Sequence, residues 1–472
     1  MAQEIEAGAS EQTALTVYNQ NFALVKDRRK LKLGEGRNAV LVQDVATRLD
    51  RTSVHFKSLT APDAVAVREQ NYQYDLINPE TLLSKSEGKR VAILQHLGDG
   101  QTRRVEGTIV TAPREILRGF DAYGREQTGA VEMVVRAEDG SLLLAPQGEI
   151  TLFEMPEGLI PRPRLFWLVD CDQAGTHDVE ISYLTEGINW RADYVVVVSA
   201  SETSVDLTGW VTLDNQSGVT YAGAALQLVA GDVRRIKPEL LEYDVMAMAA
   251  EAPMRHAAKP QFEQEKLFDY HLYTLDGTTT VRQNEQKQMT LLNANDVPAK
   301  KQYRYIGNPV AFFRVPEEHY DTRTDQKVKV YMDVENRTPN LGIPLPKGKM
   351  RLFKADRRGG LQFVGEDEID HTPKDETLHL YVGDAFDLKG EHRRLDFRRS
   401  GRRVVEEKFE IALRNHSESN VEIVVVEKAF GTWEVLQRSH AFTKTNASTL
   451  EFTVLVPASG EAKITYTLRT SW

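Results

Sequence analysis

The C-terminal end of this chain alternates residue by residue, and that pattern constrains the fold more than any other feature. Phe452, Val454 and Val456 alternate with Thr453 and Leu455. A turn follows at Ala458-Ser459-Gly460, and then Ile464, Tyr466 and Leu468 alternate with Thr465, Thr467 and Arg469. Successive side chains of a strand point to opposite faces, so period-two alternation marks a half-buried antiparallel strand. Similar strands recur along most of the chain, opening at Leu15 and continuing through Leu165 to Asp170, His177 to Leu184, Trp190 to Ser199 and Val205 to Asp214. Tyr194 to Val198 is the densest apolar run and suits a strand buried on both faces.

With 472 residues the chain exceeds one ordinary core, so two or three domains are expected. From Arg68 to Glu154 the texture changes. Asn78-Pro79-Glu80 starts a short helical stretch, and five short strands separated by Gly turns suggest a small barrel inserted in a larger domain. Residues 236–266 are rich in Ala, Glu, Met and Pro with little alternation, which reads as a partly helical or disordered linker. The expected fold is therefore mostly β: two antiparallel β-sandwich domains with an inserted small β-barrel. Residues 15–67 plus 156–204 form the N-terminal sandwich and 68–155 the insert. Residues 205–235 plus 267–472 form the C-terminal sandwich, and 1–14 a disordered tail. The polar start of that tail, Met1-Ala2-Gln3-Glu4, reads as a mature exported protein whose signal peptide has been replaced by a start Met, which places it in the periplasm or at the cell surface.

Net charge is -10, which argues against a general nucleic-acid binder, and no apolar run reaches the ~20 residues of a membrane-spanning helix. The single cysteine, Cys171, excludes an intrachain disulfide and a CxxC site, and reads as a small buried hydrophobe. No HExxH, GxSxG, Walker or EF-hand signature is present.

Four weaker constellations remain. Arg393, Arg394, Arg398, Arg399, Arg402 and Arg403 crowd eleven positions that include Ser400-Gly401. Guanidinium forks grip carboxylate or phosphate bidentately, which suits an anionic glycan, a lipid head group or an acidic partner; the plainer reading is a hairpin kept soluble by cross-strand ion pairs. Met246, Met248, Met254 and His256 offer thioether and imidazole ligands, which suit copper, though the same residues fit an Ala-rich linker. His371 and His379 fall near Asp367, Asp370 and Asp384 in sequence, as a second metal set or as ordinary turn and strand residues. Tyr270, Tyr273, Tyr303 and Tyr305 would form a sugar-stacking face if they shared one surface, or pack in the sheets.

Several blocks together bring a family to view. Gly187-Ile-Asn-Trp-Arg-Ala-Asp-Tyr194, Asp206-Leu-Thr-Gly-Trp-Val-Thr-Leu213, Tyr221-Ala-Gly, Val229-Ala-Gly-Asp-Val233 and Tyr270-His-Leu-Tyr-Thr-Leu275 resemble the bacterial family called domain of unknown function 4139, within the mucoidy-inhibitor-like group. Gly342-Ile-Pro-Leu-Pro346, the segment from Gly365 through His371-Thr-Pro373, Gly383-Asp-Ala-Phe-Asp387 and Leu413-Arg-Asn-His416 extend the likeness to the C-terminal part. The resemblance implies a multi-domain β protein, often exported, with no established reaction and no catalytic residues. The expected function is thus an exported cell-envelope protein with a structural or binding role and no cofactor. A metal-dependent extracytoplasmic redox enzyme, with copper as the candidate metal, and a glycan-binding or glycan-active protein are the alternatives.

Overall fold

The computed structural model describes residues 3–96, 100–120, 126–235, 261–307 and 324–472. The fold is mostly β, in several multi-stranded sheets, and among the described residues none closes into a barrel. Pro79–Ser84 is the α-helix among the described residues. Asn78 caps it with a reciprocal box: its side chain accepts from Thr81 N–H while the Thr81 hydroxyl faces the Asn78 N–H.

An eight-stranded sheet runs in the order Phe262–Leu267, Tyr270–Leu275, Tyr221–Ala230, Gln12–Tyr18, Phe22–Leu33, Gly175–Glu186 and His55–Ser58, with Thr279–Val281 beside Tyr221–Ala230. The larger sheet runs from Leu361–Ile369 through Gly348–Ala355, Ile188–Val198, Ser204–Asn215, Glu285–Ile306, Thr324–Glu335, Thr377–Gly401, Val404–Asn415 and Gly460–Ser471 to Thr432–Arg438. The chain passes from the first sheet to the second at Gly187, whose φ is +79° and where a Cβ would meet the Gln216 carbonyl oxygen at 2.8 Å. Only glycine turns this corner at no steric cost.

Two long strands thread the molecule. Glu285–Ile306 pairs with Ser204–Asn215 over its first half and with Thr324–Glu335 over its second. Thr377–Gly401 pairs first with Thr324–Glu335 and then with Val404–Asn415. Each therefore feeds two cores. Met289 and Leu380 lie in a first core with Leu15, Trp167, Trp190 and Tyr194, whereas Tyr305 and Leu388 lie in a second with Phe409, Phe452 and Ile464. Gly390 is required where the strands cross layers, because a Cβ there would stand 2.1 Å from the Tyr305 ring.

The expected domain edge at residues 204 and 205 falls inside this arrangement. Ile188–Val198 and Ser204–Asn215 are antiparallel neighbours along their whole length, and Tyr221–Ala230 lies parallel to Gln12–Tyr18. The chain thus interleaves the two expected sandwiches, and the cores separate along the long strands instead. Parallel pairing also joins Ile188–Val198 to Gly348–Ala355 and Glu285–Ile306 to Val421–Lys428, so the sheets are mixed where antiparallel ones were expected. The tail expected to be disordered is anchored: Gln3–Glu6 pairs with Gly36–Val42, and the Arg29 guanidinium donates to the Gly8 carbonyl. Phe262–Leu267 begins inside the stretch expected as linker. The insert is an open five-stranded sheet around Val91, Ile93, Ile109 and Val135, because its short edges, Leu142–Leu144 and Glu149–Leu152, pair inward and not with each other.

A four-strand pairing pattern occurs twice along the chain. Ser204–Asn215, Tyr221–Ala230, Thr279–Val281 and Glu285–Ile306 pair in the same pattern as Val404–Asn415, Val421–Lys428, Thr449–Val456 and Gly460–Ser471. Both units pivot on a buried asparagine at the end of the first strand. Asn215 donates to the carbonyls of Val219, Val281 and Arg282 and accepts from the Ser217 N–H and hydroxyl. Asn415 donates to those of Ser419, Val456 and Pro457 and accepts from the Ser417 N–H and hydroxyl. Asn336, at the end of Thr324–Glu335, ties its own turn similarly through Ile343 and Pro373. Among the described residues no helix is long and apolar enough to cross a membrane.

Candidate functional site

The arginine-rich segment forms a hairpin. Thr377–Gly401 turns through Arg402 and Arg403 into Val404–Asn415, with Arg398 opposite Glu406 and Arg399 opposite Val405. The structure divides the six arginines into two groups. At the base, Arg393 binds Glu410 at 2.8 Å and Arg394 binds Glu407 at 2.9 Å, the latter pair with both side chains 9% exposed. Burial pushes the Glu407 carboxyl above the usual glutamate range, and hydrogen bonding and charge from Arg394, with a smaller pull from His392, only partly offset it. At the tip, Arg398, Arg399, Arg402 and Arg403 are all exposed. Glu406, the acid nearest in register, is engaged by Arg469 at 2.8 Å. The tip is thus an exposed, arginine-rich hairpin end on an acidic chain, and its base is held by ion pairs.

Beneath the base lies a buried polar knot. The Tyr466 hydroxyl donates to Glu427 at 2.8 Å, and His392 stands 3.4 Å from the same carboxylate oxygen. Burial, reinforced by the Glu427 charge, holds the Tyr466 phenol well above its ordinary pKa. These groups are buried and tie Thr377–Gly401 and Gly460–Ser471 to Val421–Lys428.

His371 and His379 do not share a site. His379 Nδ1 bonds Asp333 at 2.7 Å on the larger sheet. His371 joins two distant segments: the Lys347 N–H donates to Nδ1, and Nε2 lies 3.1 Å from the Asn19 carboxamide. An Nδ1 that accepts leaves the proton on Nε2, so the Asn19 oxygen is the atom suited to face it. Burial lowers the His371 pKa from its ordinary 6.5, Asp232 and Asp370 oppose the shift, and Lys347 and His271 add to it. Its folded value is depressed, so the stability it lends is present above pH 6.5 and is lost as pH falls through the folded value. A His371→Gln variant is expected to show a smaller drop in Tm between pH 7 and pH 5 than the wild type, measured by thermal unfolding; an equal drop would remove His371 as the source.

Among the described residues no cluster of His, Cys, Asp and Glu could hold a metal ion. Met246, Met248, Met254 and His256 lie outside the described residues. The four tyrosines do not form one face: Tyr273 is buried in the first core and Tyr305 in the second. The reason is long-range, since the two strands that carry them enter different layers.

The sequence reading passed over a Ser, His and Cys grouping. The Ser58 hydroxyl lies 3.1 Å from His177 Nδ1, and Cys171 Sγ lies 3.7 Å from Nε2. Nε2 also lies 2.8 Å from the Gln173 carbonyl, so it carries the proton and cannot act as base for the thiol. All three side chains are buried, and the grouping is a satisfied core feature.

No protein-family model matches this chain, and no curated protein sequence matches it.

Proposed function

We propose that this chain is a binding protein of the bacterial cell envelope that engages an anionic glycan through the arginine tip. The observation that carries the reading is the exposed set Arg398, Arg399, Arg402 and Arg403 at one hairpin end, while Arg393 and Arg394 at its base are consumed by ion pairs. Four guanidinium forks at one hairpin end match closely spaced carboxylates better than a single point charge would. The resemblance to exported β proteins without an established reaction supports the envelope setting and the non-catalytic role.

The test compares wild type with an R398Q/R399Q/R402Q/R403Q variant on immobilised polygalacturonate and on phosphatidylglycerol vesicles. Wild type is expected to bind polygalacturonate, to weaken as salt rises, and to lose binding in the variant at unchanged Tm. Binding to vesicles alone would transfer the reading to lipid head groups. Equal binding by the variant would remove the tip from the interface.

A further inference from the structure

Two places on the molecule bring charged and apolar side chains together, and their charges are arranged differently. A cleft of about 360 Å³ opens where the two cores meet, and there Glu202 and Asp387 stand against Lys301 and Lys354 in equal number. At the arginine hairpin the charges are sorted by sheet face instead. Directly opposed residues of antiparallel strands share a face, and the next residue along each strand takes the other. Arg398 opposes Glu406, Glu406 opposes Arg469 and Arg469 opposes Glu434, so these four share one face. Arg469 contacts Glu406 at 2.8 Å and Glu434 at 3.9 Å, and two acids stand there against two bases.

The neighbouring row, on the other face, holds Arg399, Val405, Thr470 and Trp433, with no carboxylate among them. Trp472 lies two residues beyond Thr470 and falls on the same face. Its N–H donates to the Arg403 carbonyl at 3.2 Å, so Trp472 stands beside the turn that carries Arg402 and Arg403. The Phe430 ring meets the indole edge to face, with centroids 6.2 Å apart, and both residues are partly exposed. Gly431 leaves that flank bare, since a Cβ there would lie 3.5 Å from the Trp472 Cβ and 2.5 Å from the Ser471 carbonyl oxygen. Lys444 stands over the Trp433 ring at 4.4 Å, whereas among the described residues no cation stands over the Trp472 ring. The result is an aromatic pair next to exposed arginines, on the face of the hairpin end opposite its balanced acids and bases.

We propose that Trp472, with Phe430 beside it, is a sugar-stacking subsite of the arginine tip, and that this face takes a polymer of uronate rings. The apolar C–H face of one pyranose lies against the indole, and the carboxylates of that ring and its neighbours lie on Arg399 and Arg403. An indole offers a large, rigid contact surface at little conformational cost. The arginines alone would accept any closely spaced carboxylates, an acidic peptide included, because a guanidinium reads the carboxylate and not what carries it. The inference rests on the proposed binding of an anionic glycan, and it names the residue that selects a sugar over another polyanion.

The affinities of the full chain for polygalacturonate and for poly-L-glutamate test it, in wild type, Trp472→Leu and Trp472→Phe, each with its Tm. Leucine keeps an apolar side chain without a ring, and phenylalanine restores a ring. Trp472→Leu is expected to weaken polygalacturonate binding by roughly threefold to tenfold, the usual worth of an aromatic contact, and to leave poly-L-glutamate binding unchanged. Trp472→Phe is expected to recover most of the lost affinity, with the Tm of both variants at the wild-type value. Equal weakening toward both polymers, no weakening toward polygalacturonate, or a Trp472→Phe variant no better than Trp472→Leu would overturn the stacking subsite and leave the arginine tip in place. Failure of the wild type to bind polygalacturonate would overturn the tip itself, and the subsite with it.

Discussion

Arg394→Ala is expected to destabilise the protein by about 3–5 kcal/mol, the usual cost of leaving a buried charge without its partner. Arg394 and Glu407 are each 9% exposed, and Glu407 already resists ionisation because of burial. Without the guanidinium, Glu407 would take a proton at higher pH still. The loss should therefore shrink as pH falls, because protonation removes the unpaired charge. Chemical denaturation at pH 7 and pH 5 measures both effects. A loss under 1 kcal/mol at both pH values would show that water reaches the pair, as at an exposed salt bridge. The contrast with the tip is the point of the experiment, since Arg398 and Arg399 occupy the same strand only a few residues away and their replacement should leave stability unchanged.

Asn415→Ala is expected to cost about 3 kcal/mol, and Asn215→Ala a similar amount. Each side chain is buried and serves carbonyls from two separate segments along with the N–H and hydroxyl of a serine two residues on. Alanine would leave those backbone groups buried and unpaired, and would free the turn that starts the second strand of each unit. Asn→Asp should be nearly as damaging, because a carboxylate cannot donate to the carbonyls. Urea unfolding of both alanine variants reads the effect directly. If one is neutral and the other is not, the two units do not share a common pivot.

Much of the fold is local and was legible. Alternation at Phe452, Val454 and Val456 marked a strand that the structure extends to Thr449–Val456, and Ile464, Tyr466 and Leu468 marked Gly460–Ser471. Those two strands pair with different partners and face each other across the core, with the Phe452 and Tyr466 ring centroids 5.3 Å apart. The Asn78 cap was equally local. Pairing partners were not legible, because alternation states which face is buried and not which strand lies alongside. That is why Tyr221–Ala230 was assigned away from Gln12–Tyr18, and why the barrel was expected where the sheet is open. The duplicated unit did leave a signal: Leu213-Asp-Asn215-Gln-Ser217 and Leu413-Arg-Asn415-His-Ser417 share Leu-x-Asn-x-Ser at the ends of alternating strands.

The sites follow the same division. The arginine crowd was visible in sequence, and the base pairs follow from cross-strand register within one hairpin. The cleft was not, because Glu202, Lys301, Lys354 and Phe386 come from segments far apart in the chain and meet only when both cores assemble. The Asn19 contact with His371 is hidden for the same reason.

The central claim is that the arginine tip is a binding surface and its base is structural. The most direct measurement is the affinity for polygalacturonate as a function of salt, for wild type, the R398Q/R399Q/R402Q/R403Q variant and an R393Q variant, each with its Tm. The account predicts a steep salt dependence for wild type and R393Q, and no measurable binding by the tip variant at wild-type Tm. Tip-variant binding with the wild-type affinity and salt slope would contradict it.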